Sequence, residues 1–426
     1  MIGNVTLPMT GTPPALKQYL LKNNDYLIVS FHKGKYLFLS DSLRYDKITD
    51  RSVSEYLRLC QTEDVKNTFL SKKEIVSIAY YLNRREKSEM PLQPVNRYHI
   101  LTLNLTNECN LKCKTCFAET KTGHRTMTFE IAKKAIDAMV SNWKDEKAYT
   151  LCFSGGEPLL KKCLLEQITD YAFEEIVIKM KRKALFQLHT NSTLIDGETI
   201  RFLRKYGFKV IVYLDGAKAC HDANRVYASG KGSFEKVIEN IHLLRKNSVK
   251  TEIKATFRLD TPDLVSNFKF LEILKVPYSY SFKVFPEHPM NFTETGMDDD
   301  QLQAVDSALK RVMDFFYVKI RHGETIYYST LIRKLSSLNY RMKKNSSHES
   351  DEKNLTINAQ GEGYVRLERL DECQECAIRN ICSGDDKVGG CNPNFNTGRR
   401  MCRLFQIEWK NLLYLYALLK EEKGVQ

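Results

Sequence analysis

Three cysteines, Cys109, Cys113 and Cys116, stand in a C-x3-C-x2-C arrangement inside NLTNECNLKCKTCFAE. Thiolates are soft ligands, and three on one short loop can converge on one metal centre. A closed zinc site wants a fourth ligand close by. The loop itself supplies none, and His124 is the nearest candidate. A four-iron cluster held by three thiolates instead leaves one iron open to a further ligand, which suits a catalytic centre. A second group, ECQECAIRNIC, places Cys373, Cys376 and Cys382 in C-x2-C-x5-C, with Cys391 and Cys402 following. Read alone it is a metal or redox site, because sulfur ligands do not choose between zinc and iron. Cys60, Cys152, Cys163 and Cys220 are isolated and read as small buried hydrophobes.

Four further motifs follow the first cysteine group. In SGGEP (Ser154–Pro158), two glycines at a strand end let a ligand approach the backbone, and Glu157 can accept from an ammonium. HTNST (His189–Thr193) and LDG (Leu214–Gly216) come next, then HDANR (His221–Arg225). The planar guanidinium of Arg225 matches a carboxylate. His221 and Asp222 read as a local cap or pair.

These motifs need elements to hold them. Strands are expected at 98–105, 149–154, 184–190, 209–214, 250–258 and 279–284, with amphipathic helices at 128–142, 196–206 and 233–247. Strands alternating with helices make a parallel α/β sheet of about six βα units. Each motif then falls at the C-terminal end of a strand, where α/β barrels and sheets build their sites.

With the motifs in this order, the chain resembles a radical S-adenosylmethionine (SAM) enzyme of the peptide- and protein-modifying branch that carries a C-terminal SPASM-type domain. The resemblance covers roughly residues 98–402. CNLKCKTCF is similar to the cluster motif, GGEP to the SAM amino-group motif, and DG…HD.NR…G.F..V..NI to a segment of that branch. It implies a partial (β/α)6 TIM-like barrel of α/β class, with a small N-terminal α+β unit and a C-terminal cysteine-rich iron–sulfur domain. It further implies that Cys109, Cys113 and Cys116 hold a [4Fe-4S] cluster that binds SAM through its open iron. Phe117 would lie against the adenine, and Gly155, Gly156 and Glu157 would bind the methionine ammonium. Asn191, Ser192 and Asp215 fall at ribose or carboxylate contacts, and Arg225 at the SAM carboxylate. Two departures stand out. The chain has Thr190-Asn191-Ser192 for the family's T-N-G, and Tyr213-Leu214-Asp215-Gly216 for its S-L-D-G.

In SPASM-type domains the run formed by Cys373, Cys376 and Cys382 holds an auxiliary [4Fe-4S] cluster, for which Cys391 and Cys402 compete as fourth ligand. Order in the family pattern favours Cys402. Arg366 stands where an upstream cysteine of the full domain is expected, so one auxiliary cluster is retained and the other lost. A zinc site built from the same thiolates is the alternative.

The remaining chain sets the boundaries. DYLIVSFHKGKYLFLS at 25–40 reads as a hairpin around a Lys-Gly turn, with helices near 52–60 and 71–86 and a proline-bearing linker after them. Residues 1–95 then form a small α+β unit that resembles leader-peptide-binding elements, or else a structural cap. The barrel occupies 96–298, a helical bridge and polar linker 299–355, and the auxiliary-cluster domain with a final helix 356–426. That last helix, 403–422, reads as a packing element.

The 426 residues are 42% hydrophobic, with 12 cysteines and a formal net charge of +13. Clustered cysteines in a reducing compartment bind metal more often than they pair. The charge favours anionic partners, yet it is spread along the chain without a base-reading motif, so nucleic acid is not the expected partner. MIGNVTLPMTGTPP has no basic run before an apolar core, and no run approaches the ~20 apolar residues that span a bilayer. A cytoplasmic protein with no membrane partner is expected. The resemblance implies a precursor peptide or protein as substrate and an electron donor such as flavodoxin or ferredoxin. The expected activity is oxidative modification of a ribosomally made peptide by a 5′-deoxyadenosyl radical. The alternatives are a formylglycine-generating sulfatase maturase, a radical SAM enzyme acting on RNA, and a zinc-binding module without catalysis.

Overall fold

The structure, a computed structural model, describes residues 26–31, 34–39, 45–48, 51–62, 70, 75, 78, 100–114, 116, 125–142, 146–258, 261, 263–283, 299–344, 354–357, 359–361, 363–365 and 397–422. The chain divides into two compact units. One comprises residues 1–92 with 340–347 and 371–382, and the other residues 93–339 with 348–370 and 383–426.

In the first unit the hairpin forms as expected. Strand β1 (Tyr26–Phe31) pairs antiparallel with β2 (Gly34–Leu39), Tyr26 opposite Leu39 and Phe31 opposite Gly34. A third strand, β3 (Tyr45–Ile48), pairs with β2 and was not foreseen: four residues, YDKI, are too short to show a period. Helix Arg51–Thr62 buries Tyr56, Leu57, Leu59 and Cys60 along one stripe. Most of the helix expected at 71–86 lies outside the described residues.

The second unit is built on one eight-stranded sheet in the order β11-β10-β4-β5-β6-β7-β8-β9. Six strands run parallel and in sequence: β4 (Ile100–Thr106), β5 (Ala148–Gly155), β6 (Lys183–Thr190), β7 (Lys209–Tyr213), β8 (Lys250–Arg258) and β9 (Tyr278–Lys283). Helices Phe129–Asn142, Lys162–Phe173, Gly197–Lys205, Phe234–Lys246 and Leu264–Ile273 lie between them in sequence. This is the α/β, six-stranded parallel arrangement expected, open at its edges. Two short strands extend it beyond β4: β10 (Asn354–Ile357), parallel to β4, and β11 (Gly363–Val365), antiparallel to β10.

Strand sequence decides which face is the core. Leu101, Leu103 and Leu105 alternate on β4, and Leu151, Phe153, Leu188, Val210, Val212, Ile253, Ala255 and Phe257 continue the same layer, all buried. Helix residues Ile136, Leu165, Leu203, Val237 and Phe268 are buried with them. Register places Asn104 beside Ser154, His189 beside Ile211, and Tyr213 beside Lys254 on the opposite face. That face is polar and partly open to solvent, unlike the interior of a closed barrel, which branched apolar side chains fill.

Helix Asp299–Arg321 packs along Thr397–Glu422, the latter starting earlier than the 403 expected. Lys410 and Asn411 both reach Asp306 (2.8 and 2.7 Å), and the Tyr414 hydroxyl donates to Asp314 at 2.9 Å. The final helix therefore does act in packing. Among the described residues no helix is long and apolar enough to cross a membrane.

Candidate functional site

The loop carrying Cys109, Cys113 and Cys116 leaves the end of β4 and is fastened by three neighbouring loops. The first is SGGEP after β5. The Gly156 N–H donates to the Thr106 carbonyl at 2.7 Å and the Glu157 N–H to the Glu108 carbonyl at 2.8 Å. Both glycines are needed for this approach. Gly155 takes φ +127°, and a Cβ on Gly156 would meet the Glu108 carbonyl oxygen at 2.1 Å. A Glu108–Lys161 ion pair of 2.9 Å closes the same junction from the side.

HTNST after β6 supplies the second fastening. Asn191 Nδ2 donates to Asn110 Oδ1 at 2.9 Å and faces the Cys109 sulfur at 3.7 Å, while Asn110 Nδ2 donates to Thr193 Oγ1 at 2.8 Å. The third comes from HDANR. Lys112 N–H donates to the Val226 carbonyl at 2.7 Å and Lys114 N–H to the Asn224 carbonyl at 3.0 Å, with a bridge between Leu111 and Tyr227. The cysteine loop thus behaves as a short guest strand.

Glu157 is fully buried at the centre of this arrangement. Its carboxylate accepts from Leu159 N–H (3.1 Å), the Thr190 hydroxyl (2.8 Å) and Asn191 N–H (2.8 Å), tying β5 to β6. Burial outweighs these donors and pushes its carboxyl up to about 7. Ser192, where the family has glycine, takes φ +59°. Its hydroxyl is buried with no hydrogen-bond partner, as is the Asn240 Oδ1 of the amide that donates to the Ser192 carbonyl at 2.6 Å. Both conditions suit glycine better than serine.

Asp215 is buried and collects four contacts. Arg225 approaches it twice (Nε at 2.7 Å, Nη2 at 3.0 Å), and Asn224 Nδ2 and Thr256 N–H each donate at 2.9 Å. The guanidinium holds the Asp215 carboxyl below the usual carboxylate range against the effect of burial. The Tyr213 ring lies 5.1 Å under the same guanidinium, and its hydroxyl is 3.4 Å from His189 Nδ1. His221 accepts from Asp215 N–H at Nδ1 (3.2 Å), so Nε2 carries the proton and donates to the Ser233 hydroxyl at 3.0 Å. Burial lowers its pKa to about 4, so the ring is neutral. Asp222 accepts from Phe234 N–H at 2.9 Å and caps the following helix. His221 and Asp222 both make the local contacts that the sequence suggested.

The structure therefore brings together Cys109, Cys113, Cys116, Gly155, Gly156, Glu157, Asn191, Ser192, Asp215 and Arg225 at one end of the sheet. Sequence reasoning missed Asn110, Thr190 and Thr193, although Asn110 stands inside the cysteine motif. Phe117 lies outside the described residues, as do His124, Cys373, Cys376, Cys382, Cys391 and Arg366. Cys402 falls in helix Thr397–Glu422, but its side chain lies outside them too.

The donor set fits an iron–sulfur cluster better than a single ion. Cys109 and Cys113 are half-buried, Cys116 is exposed, and the Cys109 sulfur lies near enough to the other two to feel their charge. Burial pushes the Cys109 thiol up to about 11, a cost that metal ligation would offset. No three Cys, His, Asp or Glu side chains among the described residues converge on one ion. A four-iron cluster needs no such common point, because each thiolate binds its own iron.

Residues 103–259, from β4 past the end of β8, match the radical SAM superfamily. The chain carries a radical SAM domain. It is 27% identical over 266 residues to a cysteine-type anaerobic sulfatase-maturating enzyme of Clostridium perfringens, covering 54% of this chain and 65% of that one. It is 28% identical over 218 residues to an Fe-coproporphyrin III synthase of Methanosarcina barkeri, covering 50% and 51%. The chain thus spans between about half and two thirds of these relatives' lengths. Among solved structures, native anSMEcpe with bound AdoMet superposes with a TM-score of 0.59 at 20% identity, over 75% of this chain and 100% of that one. The fold is shared.

Proposed function

We propose that this chain is a radical SAM peptide maturase that installs an oxidative modification, such as a crosslink, in a ribosomally made peptide. The observation that carries the reading is the loop bearing Cys109, Cys113 and Cys116, fastened by SGGEP, HTNST and the HDANR segment at one end of the sheet. These residues would hold a [4Fe-4S] cluster. When bound, cluster and SAM together supply a 5′-deoxyadenosyl radical that takes hydrogen from an unactivated C–H bond.

The chain's own residues do the rest. Gly155 and Gly156 offer backbone at a strand end for the methionine moiety, and Glu157 holds β5 and β6 at fixed spacing beneath it. Asn191, Ser192, Asp215 and Arg225 surround the region where the nucleoside and carboxylate would lie. The polar face of the sheet offers hydrogen-bonding groups to a peptide. Within the first unit, β1 and β3 are edge strands of a three-stranded sheet, the form in which an extended peptide is captured by strand addition. Cys373, Cys376, Cys382 and either Cys391 or Cys402 would hold an auxiliary [4Fe-4S] cluster able to take up the substrate's electron. The second reading is a sulfatase-maturing activity, favoured by the Clostridium relative.

Anaerobic reconstitution tests this. The expected result is about eight irons with matching sulfide for two four-iron clusters, and release of 5′-deoxyadenosine from SAM under dithionite. A Cys113→Ala variant should lose the SAM cleavage and keep the auxiliary iron. Zinc without iron in the wild-type protein overturns the reading. Deuterium transfer into 5′-deoxyadenosine from a Cys- or Ser-bearing sulfatase peptide, with formylglycine formed, selects the second reading instead.

A further inference from the structure

Tyr213 replaces a small residue of the family pattern at the end of β7, and nothing above requires a phenol there. Its ring lies face-on to Arg225, 5.1 Å from ring centre to guanidinium carbon. Arg225 in turn grips Asp215 with two hydrogen bonds, its side chain 12% and that of Asp215 1% exposed. The backbone on either side of Arg225 receives the cysteine loop, through the Asn224 and Val226 carbonyls. Those two bonds set Cys113 opposite Arg225 across the junction. One aromatic ring therefore stands beneath the arginine, and the arginine stands opposite one of the three loop cysteines.

We propose that Tyr213 is a positioning residue for the cluster: its ring holds the Arg225 guanidinium against Asp215 and beside Cys113, and so fixes a positive charge next to one thiolate. The inference rests on the reading that Cys109, Cys113 and Cys116 hold a [4Fe-4S] cluster. A guanidinium over an aromatic face is attracted by the ring quadrupole, more so when desolvated. Net charge and hydrogen bonding around the sulfurs set the potential of such clusters. A cation beside Cys113 favours the reduced, more negative cluster. Displacing it by a few Å at an effective dielectric near 20 changes the reduction equilibrium about tenfold.

The test compares Tyr213→Phe with Tyr213→Leu in the reconstituted full chain. Phe keeps the π face and drops the hydroxyl, while Leu fills volume without a π face. Circular dichroism and iron content establish that each variant folds and holds its cluster. The readouts are the cluster midpoint by redox titration followed by electron paramagnetic resonance, and the rate of iron loss to a chelator. Phe is expected at the wild-type midpoint. Leu is expected about 59 mV more negative, the one-electron equivalent of tenfold, with iron lost several-fold faster. Arg225→Lys, which keeps the charge and loses the planar fork, should move in the same direction. It decides the matter if the Leu variant does not fold. Wild-type behaviour in both the Leu and Lys variants overturns the proposal, and so does a Phe variant that shifts as far as Leu. A wild-type protein that takes up no iron fails the underlying reading and is recognised before any variant is compared.

Discussion

Gly156→Ala is the sharpest probe of the junction between the SGGEP loop and β4. Gly156 has no positive φ, so the methyl strains nothing locally; the obstacle is space. The new Cβ would sit 2.1 Å from the Glu108 carbonyl oxygen, 2.6 Å from its carbon and 2.9 Å from the Asn107 carbonyl carbon. All three are backbone atoms that cannot rotate away. Ordinary contact demands a separation of about 1 Å more, which carries the 2.7 and 2.8 Å bonds of Gly156 N–H and Glu157 N–H beyond hydrogen-bonding range. Two lost bonds at about 1 kcal/mol each, with overpacking of about 1–3 kcal/mol, give a destabilisation of roughly 3–5 kcal/mol. For a unit of roughly 310 residues, with an unfolding entropy of about 0.65 kcal/mol/K, that lowers Tm by about 5–8 °C. Thermal unfolding of the apo protein by circular dichroism measures it. Gly197→Ala serves as control, because its Cβ would meet only Arg201 Nη1 at 3.8 Å. If the loop presents SAM as proposed, a displacement of 1 Å should also weaken SAM binding by about 100-fold in equilibrium dialysis. A Gly156→Ala protein melting within 2 °C (about 1.3 kcal/mol) of wild type refutes the packing argument.

Three further outcomes follow from the same geometry. Asp215→Asn strands the Arg225 charge in a buried place and should cost about 3–5 kcal/mol in urea unfolding; a loss below about 1 kcal/mol would show that the pair is not the internal tie described. Ser192→Gly relieves a left-handed serine and removes an unpartnered hydroxyl, so the apo protein should gain about 1 kcal/mol. If that hydroxyl contacts SAM, affinity should fall roughly five- to tenfold at the same time, and unchanged affinity would remove Ser192 from the site. His221 is neutral when folded with a pKa near 4 against 6.5 unfolded. Its contribution is therefore present above pH 6.5 and lost as pH falls towards 4, about 3 kcal/mol in all. His221→Gln should flatten this slope, and an identical stability–pH curve for variant and wild type would contradict the burial argument.

The six parallel strands were legible because each pairs a β-rich run with a helical period after it, and the motifs then had to fall at strand ends. Lone short strands were not. The four residues of β3 or β10 carry no period, and β10 in addition pairs with β4, roughly 250 positions earlier in the chain. Within the site, residue types pointed to metal and ligand chemistry, but the fastening of the cysteine loop was invisible. Gly156, Glu157, Lys112 and Lys114 do that work through backbone N–H groups, which every residue except proline possesses. Arg225 shows a different limit. A guanidinium in a motif pointed outward to a ligand carboxylate, whereas Asp215, ten positions earlier, takes two of its hydrogen bonds. Tyr213 registered only as a departure from pattern, because the face of a ring carries no signature until the cation above it is placed.

The guest-strand character of the cysteine loop also bears on the order of events in the cell. Its anchors at Thr193 and Asn191 lie 83 and 81 positions along the chain, and the segment around Asn224–Val226 lies further still. Contacts of such separation close late, after the intervening strands have docked. None of them needs iron. In a small zinc-bound domain the metal creates the fold; if the proposed cluster binds here, the loop that would hold it is already tied down by hydrogen bonds of the chain itself. Folding and cluster loading would then be separate steps, the first completed without the second.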